Sequence, residues 1–208
     1  MTELVYPPVI RAALTAFKLL DLRIRVEGAE RVPRSGGAVL VSNHVSYLDF
    51  VFAGLAARPS RRLVRFMAKQ EVFSHPVSGP LMRGMHHIPV DRTAGAGAFH
   101  AAVRAAGREI VGNFAEATIS RSFTVKDIKS GPIRMAVEAG VPIIRSRCGA
   151  AAAVDQGPAA QAPPAARPDH DPGRELMHPG PDDDIVKLTA ELRRRMSELL
   201  DEAQRTTE

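Results

Sequence analysis

The apolar positions of this chain recur with two different periods, and the alternation between them outlines an architecture. After Pro7 and Pro8, the side chains of Val9, Ile10, Ala13, Leu14, Phe17 and Leu20 share one face at helical spacing, with Arg11 and Lys18 between them. This predicts an amphipathic N-terminal helix over residues 1–21, able to lie on a membrane or to pack on a core. Residues 22–28 and 37–43 read as strands, the second a buried β-branched run. A helix follows from Tyr47 to Ala57, then a strand in RLVRFMA, a short helix from Pro76 to Met82 and a strand in HHIPVD. Next come a helix through GAFHAAVRAAGREI and a strand in IVGNF. Beyond a polar loop, GPIRMAVEAG is a helix that Gly140 stops, and VPII is a short strand. Strands alternating with helices imply an α/β fold built on one sheet, and 208 residues suit a single such domain.

The pattern breaks once. From Arg145 to Pro172 the chain carries nine alanines and five prolines, with Val154 as its only aliphatic side chain besides alanine. Such a composition buries too little apolar surface to offset chain ordering, which predicts a disordered segment. An unstructured insertion of that length inside a domain is itself anomalous. Order returns where Ile185, Leu188, Leu192, Met196, Leu199 and Leu200 mark a helix over 185–203, preceded by Asp182 to Asp184 as capping residues. The organisation is therefore an N-terminal helix (1–21), an α/β core (22–144), the aberrant Ala/Pro-rich segment (145–172) and a C-terminal tail with its amphipathic helix (173–208).

Charge narrows the partners. Lys and Arg number 28 against 23 Asp and Glu, a net charge of +5, which suits a phosphate ester, coenzyme A, an anionic bilayer surface or nucleic acid. The basic residues are scattered, and two Tyr, eight Phe and no Trp make no stacking platform, so nucleic acid is not expected. A non-catalytic basic protein on a membrane or nucleic acid is the rival from a different class. The single cysteine, Cys148, excludes an intrachain disulfide and fits a reducing cytoplasm. The N-terminus lacks the pattern of a signal peptide, and no apolar run approaches the roughly 20 residues that span a bilayer, so no transmembrane helix is predicted.

Candidate chemistry gathers at VSNHVSYLDFVF. Five positions separate His44 from Asp49, too few to bring them together on regular structure, where a helix sets them about 140° apart and a strand on opposite faces. They meet only if the chain turns between a strand ending at Asn43 and a helix beginning near Tyr47. In that arrangement the carboxylate orients the imidazole and leaves its other nitrogen as a general base. The same two residues also suit a turn and a helix N-terminus with no catalytic role. His86 and His87, neighbours on a predicted strand, point to opposite faces, so they read as structural and no metal site is expected.

Two later motifs extend the series: GMHHIPVDR, ending in Arg92, and NFAEATISRS, centred on Glu116. A histidine–aspartate turn, an arginine after a strand and Phe-x-Glu-x-Thr after another strand together resemble the glycerolipid acyltransferase family, typified by 1-acylglycerol-3-phosphate acyltransferases. The resemblance covers most of residues 22–144. It implies a single-domain glycerophosphate-acyltransferase-like α/β fold, a mixed sheet flanked by helices. It implies His44 as the base that deprotonates a glycerol hydroxyl, with Asp49 orienting it, and Arg92 as the holder of an acceptor phosphate. Gly84, in the same block as Arg92, would permit close backbone approach. Glu116 and Thr118 would line the acceptor site. The acyl donor would be acyl-CoA or acyl-carrier protein, a co-substrate rather than a cofactor, and the acceptor a lysophosphatidate-like phospholipid at the cytoplasmic face of the cell membrane. The sequence departs from the family's Phe-Pro-Glu-Gly-Thr-Arg: Ala115 and Ala117 replace proline and glycine, and Ile119 replaces the arginine, which leaves Arg121 or Lys126 as the basic side chain of that loop. Another lipid acceptor, or a family member inactivated by residues 145–172, are the alternatives.

The family's fourth block, Val-Pro-Ile-(Ile/Val)-Pro-Val, is followed as far as Ile144 and then lost. With permitted codons, reading from the second base of the Arg145 codon turns Arg145 to Gly157 into VVVVGRQRRWTKG and Arg167 to Asp171 into VPITI. Both are strand text in one frame, and they resemble what the family carries after that block. Residues 145–172 are accordingly read as translated out of frame, with the frame restored near Gly173.

Overall fold

The structure, a computed structural model, describes residues 3–19, 32–42, 49–91, 95–114, 128–146 and 176–205. Within these, helix α1 (Tyr6–Leu19) precedes strand β1 (Ala38–Ser42), helix α2 (Asp49–Ala56), strand β2 (Val64–Lys69) and two short helices, α3 (Gln70–Ser74) and α4 (Ser78–Gly84). Strand β3 (Ile88–Val90), helix α5 (Gly95–Ala106), strand β4 (Ile110–Phe114), helix α6 (Gly131–Ala139), strand β5 (Ile143–Ser146) and the C-terminal helix α7 (Ile185–Arg205) follow. The predicted strand over 22–28 and most of the 145–172 segment lie outside the described residues.

The five strands form one sheet in the order β3-β2-β4-β1-β5, with every neighbouring pair parallel. An antiparallel element enters at the β5 edge, where Ile143 and Met177 exchange two backbone hydrogen bonds of 2.8 and 3.3 Å. Strand β1 lies inside the sheet and is buried along its whole length, which is why AVLVS reads as a continuous apolar run. Its side chains alternate between two cores. Val39 and Val41 face a cluster built with Ala102 and Ala106 of α5, Ile133 and Met135 of α6, and Leu192 and Met196 of α7. Ala38 and Leu40 face the other, with Val64, Phe66 and Ile110 beneath Ala53 of α2 and the adjoining Ala57.

This division follows from chain direction. From β1 to β3 the chain moves toward one edge of the sheet, and from β3 to β5 it moves back; right-handed crossovers then put α2 on one face and α5 and α6 on the other. Helix α6 ends as its sequence predicts, since Gly140 adopts φ +64° and its N–H closes the last turn. The helix expected from Pro76 to Met82 is α4, displaced by two residues, and a further short helix, α3, precedes it, the two being separated at His75. The residue before a proline is driven out of the helical region, and His75 is extended at φ −69°, ψ 137°. Its Nδ1 accepts the N–H groups of Val77 and Ser78 at 3.3 and 3.4 Å as α4 begins.

Helix α1 packs on the molecule by its N-terminal turn and, further along, by Phe17. Phe17 stacks on Phe52 of α2 at 5.8 Å between centroids, and Tyr6 is buried, while Leu4 and Leu19 are exposed. Among the described residues no helix is long and apolar enough to cross a membrane.

Candidate active site

Because the strands are parallel, their carboxyl ends share one edge of the sheet. Ser42, Asp91 and Phe114 are the last described residues at the ends of β1, β3 and β4. The stretches carrying His44, Arg92 and the set Glu116, Thr118 and Arg121 begin one residue later, and these five residues lie outside the described ones. Asp49 opens α2, where only its helical backbone is described.

The strand ends themselves are informative. Ser42 and Phe114 are register partners on adjacent strands, so the stretches leading to His44 and to Glu116 start one strand spacing apart, about 4.8 Å. Val90 ends three strands from β1, roughly 14 Å away. Between β1 and β4 the sheet has its switch point: the helix after β1 lies on one face and the helix after β4 on the other. Open parallel sheets bind ligands in the crevice that this divergence leaves at the carboxyl edge.

Gly84 is described, and its surroundings are specific. A Cβ there would lie 2.6 Å from a methyl of Val5 and 3.0 Å from its Cβ, so the close approach that this glycine permits is that of the segment leading into α1.

Beside Gly84 lies a polar group that sequence reasoning missed. The stretch Val64–Phe66 of β2 runs ahead of β3, and among the described residues no strand pairs with its outward backbone groups. Side chains take that place. The Tyr6 hydroxyl donates to the Val64 carbonyl at 2.9 Å, and the Phe66 N–H donates to His87 Nδ1 at 3.1 Å. Between them the buried Arg65 donates to the Met85 carbonyl at 2.8 Å and pairs with Glu109, at 3.0 Å, and with Glu3. Burial, with the Arg65 charge in second place, pushes His87 down to about 4. Burial likewise pushes the Tyr6 phenol up to about 12, against the pull of Arg65. His87 is therefore a neutral ring that completes the edge of the sheet; β3 begins only at Ile88, so His86 and His87 precede the strand and are not divided between its two faces as their sequence suggested. The signal available in the sequence was the charge of Arg65 inside an apolar strand.

Comparison with known proteins gives a consistent result. A family model described as Acyltransferase matches residues 23–147. A 1-acyl-sn-glycerol-3-phosphate acyltransferase of Bacillus subtilis is 27% identical over 61% of this chain and 63% of its own length. One of Limnanthes douglasii is 31% identical over 61% of this chain and 45% of its own. An uncharacterized acyltransferase of Schizosaccharomyces pombe is 33% identical over 62% and 48%. The chain thus spans from about half to just under two thirds of the length of these relatives. The crystal structure of the 1-acyl-sn-glycerophosphate acyltransferase PlsC from Thermotoga maritima superposes with a TM-score of 0.51 at 24% identity, over 66% of this chain and 54% of that one. The fold is shared.

Proposed function

The chain belongs to the acyltransferase family, and on that premise we propose that it moves a fatty acyl group from a thioester donor, acyl-CoA or acyl-carrier protein, to the free hydroxyl of a lysophosphatidate-like acceptor. His44 takes the hydroxyl proton as the oxygen attacks the thioester carbonyl. The tetrahedral intermediate collapses with loss of the thiolate, which the imidazolium reprotonates, so an ester and a free thiol are formed without an acyl-enzyme. Asp49 holds the imidazole in the productive tautomer and stabilises its cation. Arg92 holds the acceptor phosphate in its planar fork of donors, with Glu116, Thr118 and Arg121 lining the same acceptor.

The observation that carries this reading is the register of β1 with β4. The stretches of His44 and Glu116 leave neighbouring strand ends at the switch point of the sheet, where base and acceptor must meet. The roughly 14 Å from β1 to β3 suits an arginine that holds a phosphate some distance from the reacting hydroxyl. We place the reaction at the cytoplasmic face of the cell membrane, where the acceptor resides. Helix α1 carries Arg11 and Lys18 and no acidic residue, which favours an anionic surface. Ile119, where the family's arginine is expected, favours a second acceptor class, lysophospholipids whose phosphate is already diesterified.

The test is product formation from lysophosphatidate with each donor, read by mass spectrometry. His44→Ala should lower turnover about 10²–10⁴-fold with folding intact. Turnover within threefold of the parent would remove His44 from the mechanism. Arg92→Ala should raise the acceptor KM and spare the donor KM, and the reverse would end its assignment to the phosphate. Faster turnover of a diesterified acceptor would select the second class.

A further inference from the structure

A cleft of about 640 Å³ lies between α3, α4 and the start of β3, and the acyl-transfer reading makes no use of it. Its volume falls within the roughly 300–1,000 Å³ of small-molecule sites. His75, Arg83, His86 and His87 give its walls N–H donors, while Phe73, Pro76, Pro80 and Pro89 give them flat apolar surface. Among the described residues no carboxylate lines it. Walls of that kind favour an anion that also carries a ring.

The donors are fixed by the fold. Arg83 Nη1 donates to the Phe73 carbonyl at 2.6 Å, which ties the guanidinium from α4 across to α3. His75 and His87 each accept backbone N–H groups at Nδ1, so in the neutral ring the proton sits on Nε2 as a donor. His86 adopts φ +56°, and its N–H and that of His87 bond back to the carbonyls of Arg83 and Met82, both at 3.0 Å. Gln70, on the cleft wall, directly follows the last residue of β2. The cleft therefore adjoins the carboxyl edge of the sheet.

We propose that this cleft binds the adenosine phosphate end of a coenzyme A thioester, with Arg83 and the imidazoles on phosphate oxygens and the adenine against the proline faces. The pantetheine arm then runs along the carboxyl edge toward the crevice beside β1, over about three strand spacings, roughly 14 Å. The identity of the ligand rests on the acyl-transfer reading. It selects coenzyme A over a carrier protein as donor, because a carrier protein presents phosphopantetheine without the adenosine bisphosphate.

The probe is adenosine 3′,5′-bisphosphate, which has no thioester, titrated calorimetrically into the intact chain. Saturable binding is expected, weakened about tenfold by Arg83→Gln, which removes a charge-assisted donor, and by His86→Asn, which keeps a residue that tolerates the left-handed backbone. Circular dichroism of each variant checks folding, and His86→Asn decides alone if Arg83→Gln does not fold. Glycerol 3-phosphate, the anion of a lipid headgroup, should not displace the bisphosphate. Absence of binding, binding unchanged in the folded variants, or displacement by glycerol 3-phosphate would each overturn the proposal. Failure of the acyl-transfer reading has a separate signature: no ester from lysophosphatidate while bisphosphate binding persists.

Discussion

A methyl group at position 84 has nowhere to go, because Val5 already fills that space. Gly84→Ala should destabilise the fold by about 1–3 kcal/mol, the usual range for overpacking, although alanine favours a helix. Val5→Ala should recover most of that loss in a double-mutant cycle followed by urea denaturation. Additive losses would instead put the pressure on Gly84 elsewhere, and loss of acyl transfer in the rescued double variant would put the glycine beside the substrate. His87 sets a pH dependence. Its folded pKa, about 4, is below the 6.5 of a free imidazole, so the unfolded chain binds more protons between the two. Stability from this group is complete above pH 6.5 and is lost as the pH falls toward 4. The drop between pH 7.5 and pH 5 should be about 2 kcal/mol. His87→Asn, whose carbonyl can still accept the Phe66 N–H, should flatten that slope in denaturation curves at the two pH values.

Among the elements, α7 carries the clearest dependence. Leu192 and Met196 are fully buried against the α5–α6 face, so Leu192→Ala should cost about 2–5 kcal/mol, visible as a lower urea midpoint. An unchanged midpoint would mean that α7 does not contribute to the core. Its start was legible in the sequence: Asp184 Oδ1 accepts the Val186 N–H at 2.8 Å and that of Lys187 at 3.3 Å, as a capping aspartate should. The strand in IVGNF was legible in full, since Ile110, Val111 and Gly112 are buried and the turn at Gly107 and Arg108 precedes them. Two elements were less so. The break between α3 and α4 needed the steric rule for His75 before Pro76, which apolar periodicity does not contain. The Arg65 network joins residues 44 and 62 positions apart, and no local pattern records such a meeting. For the candidate site, the sequence supplied residue types and order. The structure adds that their stretches leave one edge of the sheet, two of them from paired strand ends.

For the whole molecule, β5 is the edge strand and runs two residues beyond the expected end at Ile144, so that Arg145 and Ser146, the first residues of the Ala/Pro-rich passage, pair with Val41 and Ser42 of β1. Its described outer contact is the pair of bonds between Ile143 and Met177. If residues 145–172 are out of frame, replacing them with the shifted reading should restore apolar strand text next to this edge. The thermal midpoint should rise and aggregation on heating, followed by light scattering, should fall. A replaced chain that is less stable, or a gene whose neighbouring frame carries no such text, would make the passage native. The opposite edge is different in kind. Ala68 turns its backbone groups toward β3, so its register partner Pro89 faces outward, where it offers no N–H. Further along, Tyr6 and His87 already occupy the carbonyl of Val64 and the amide of Phe66. A peptide seeking to join the sheet by strand addition finds no ladder on this side, and a partner that docks here must be recognised by its side chains alone.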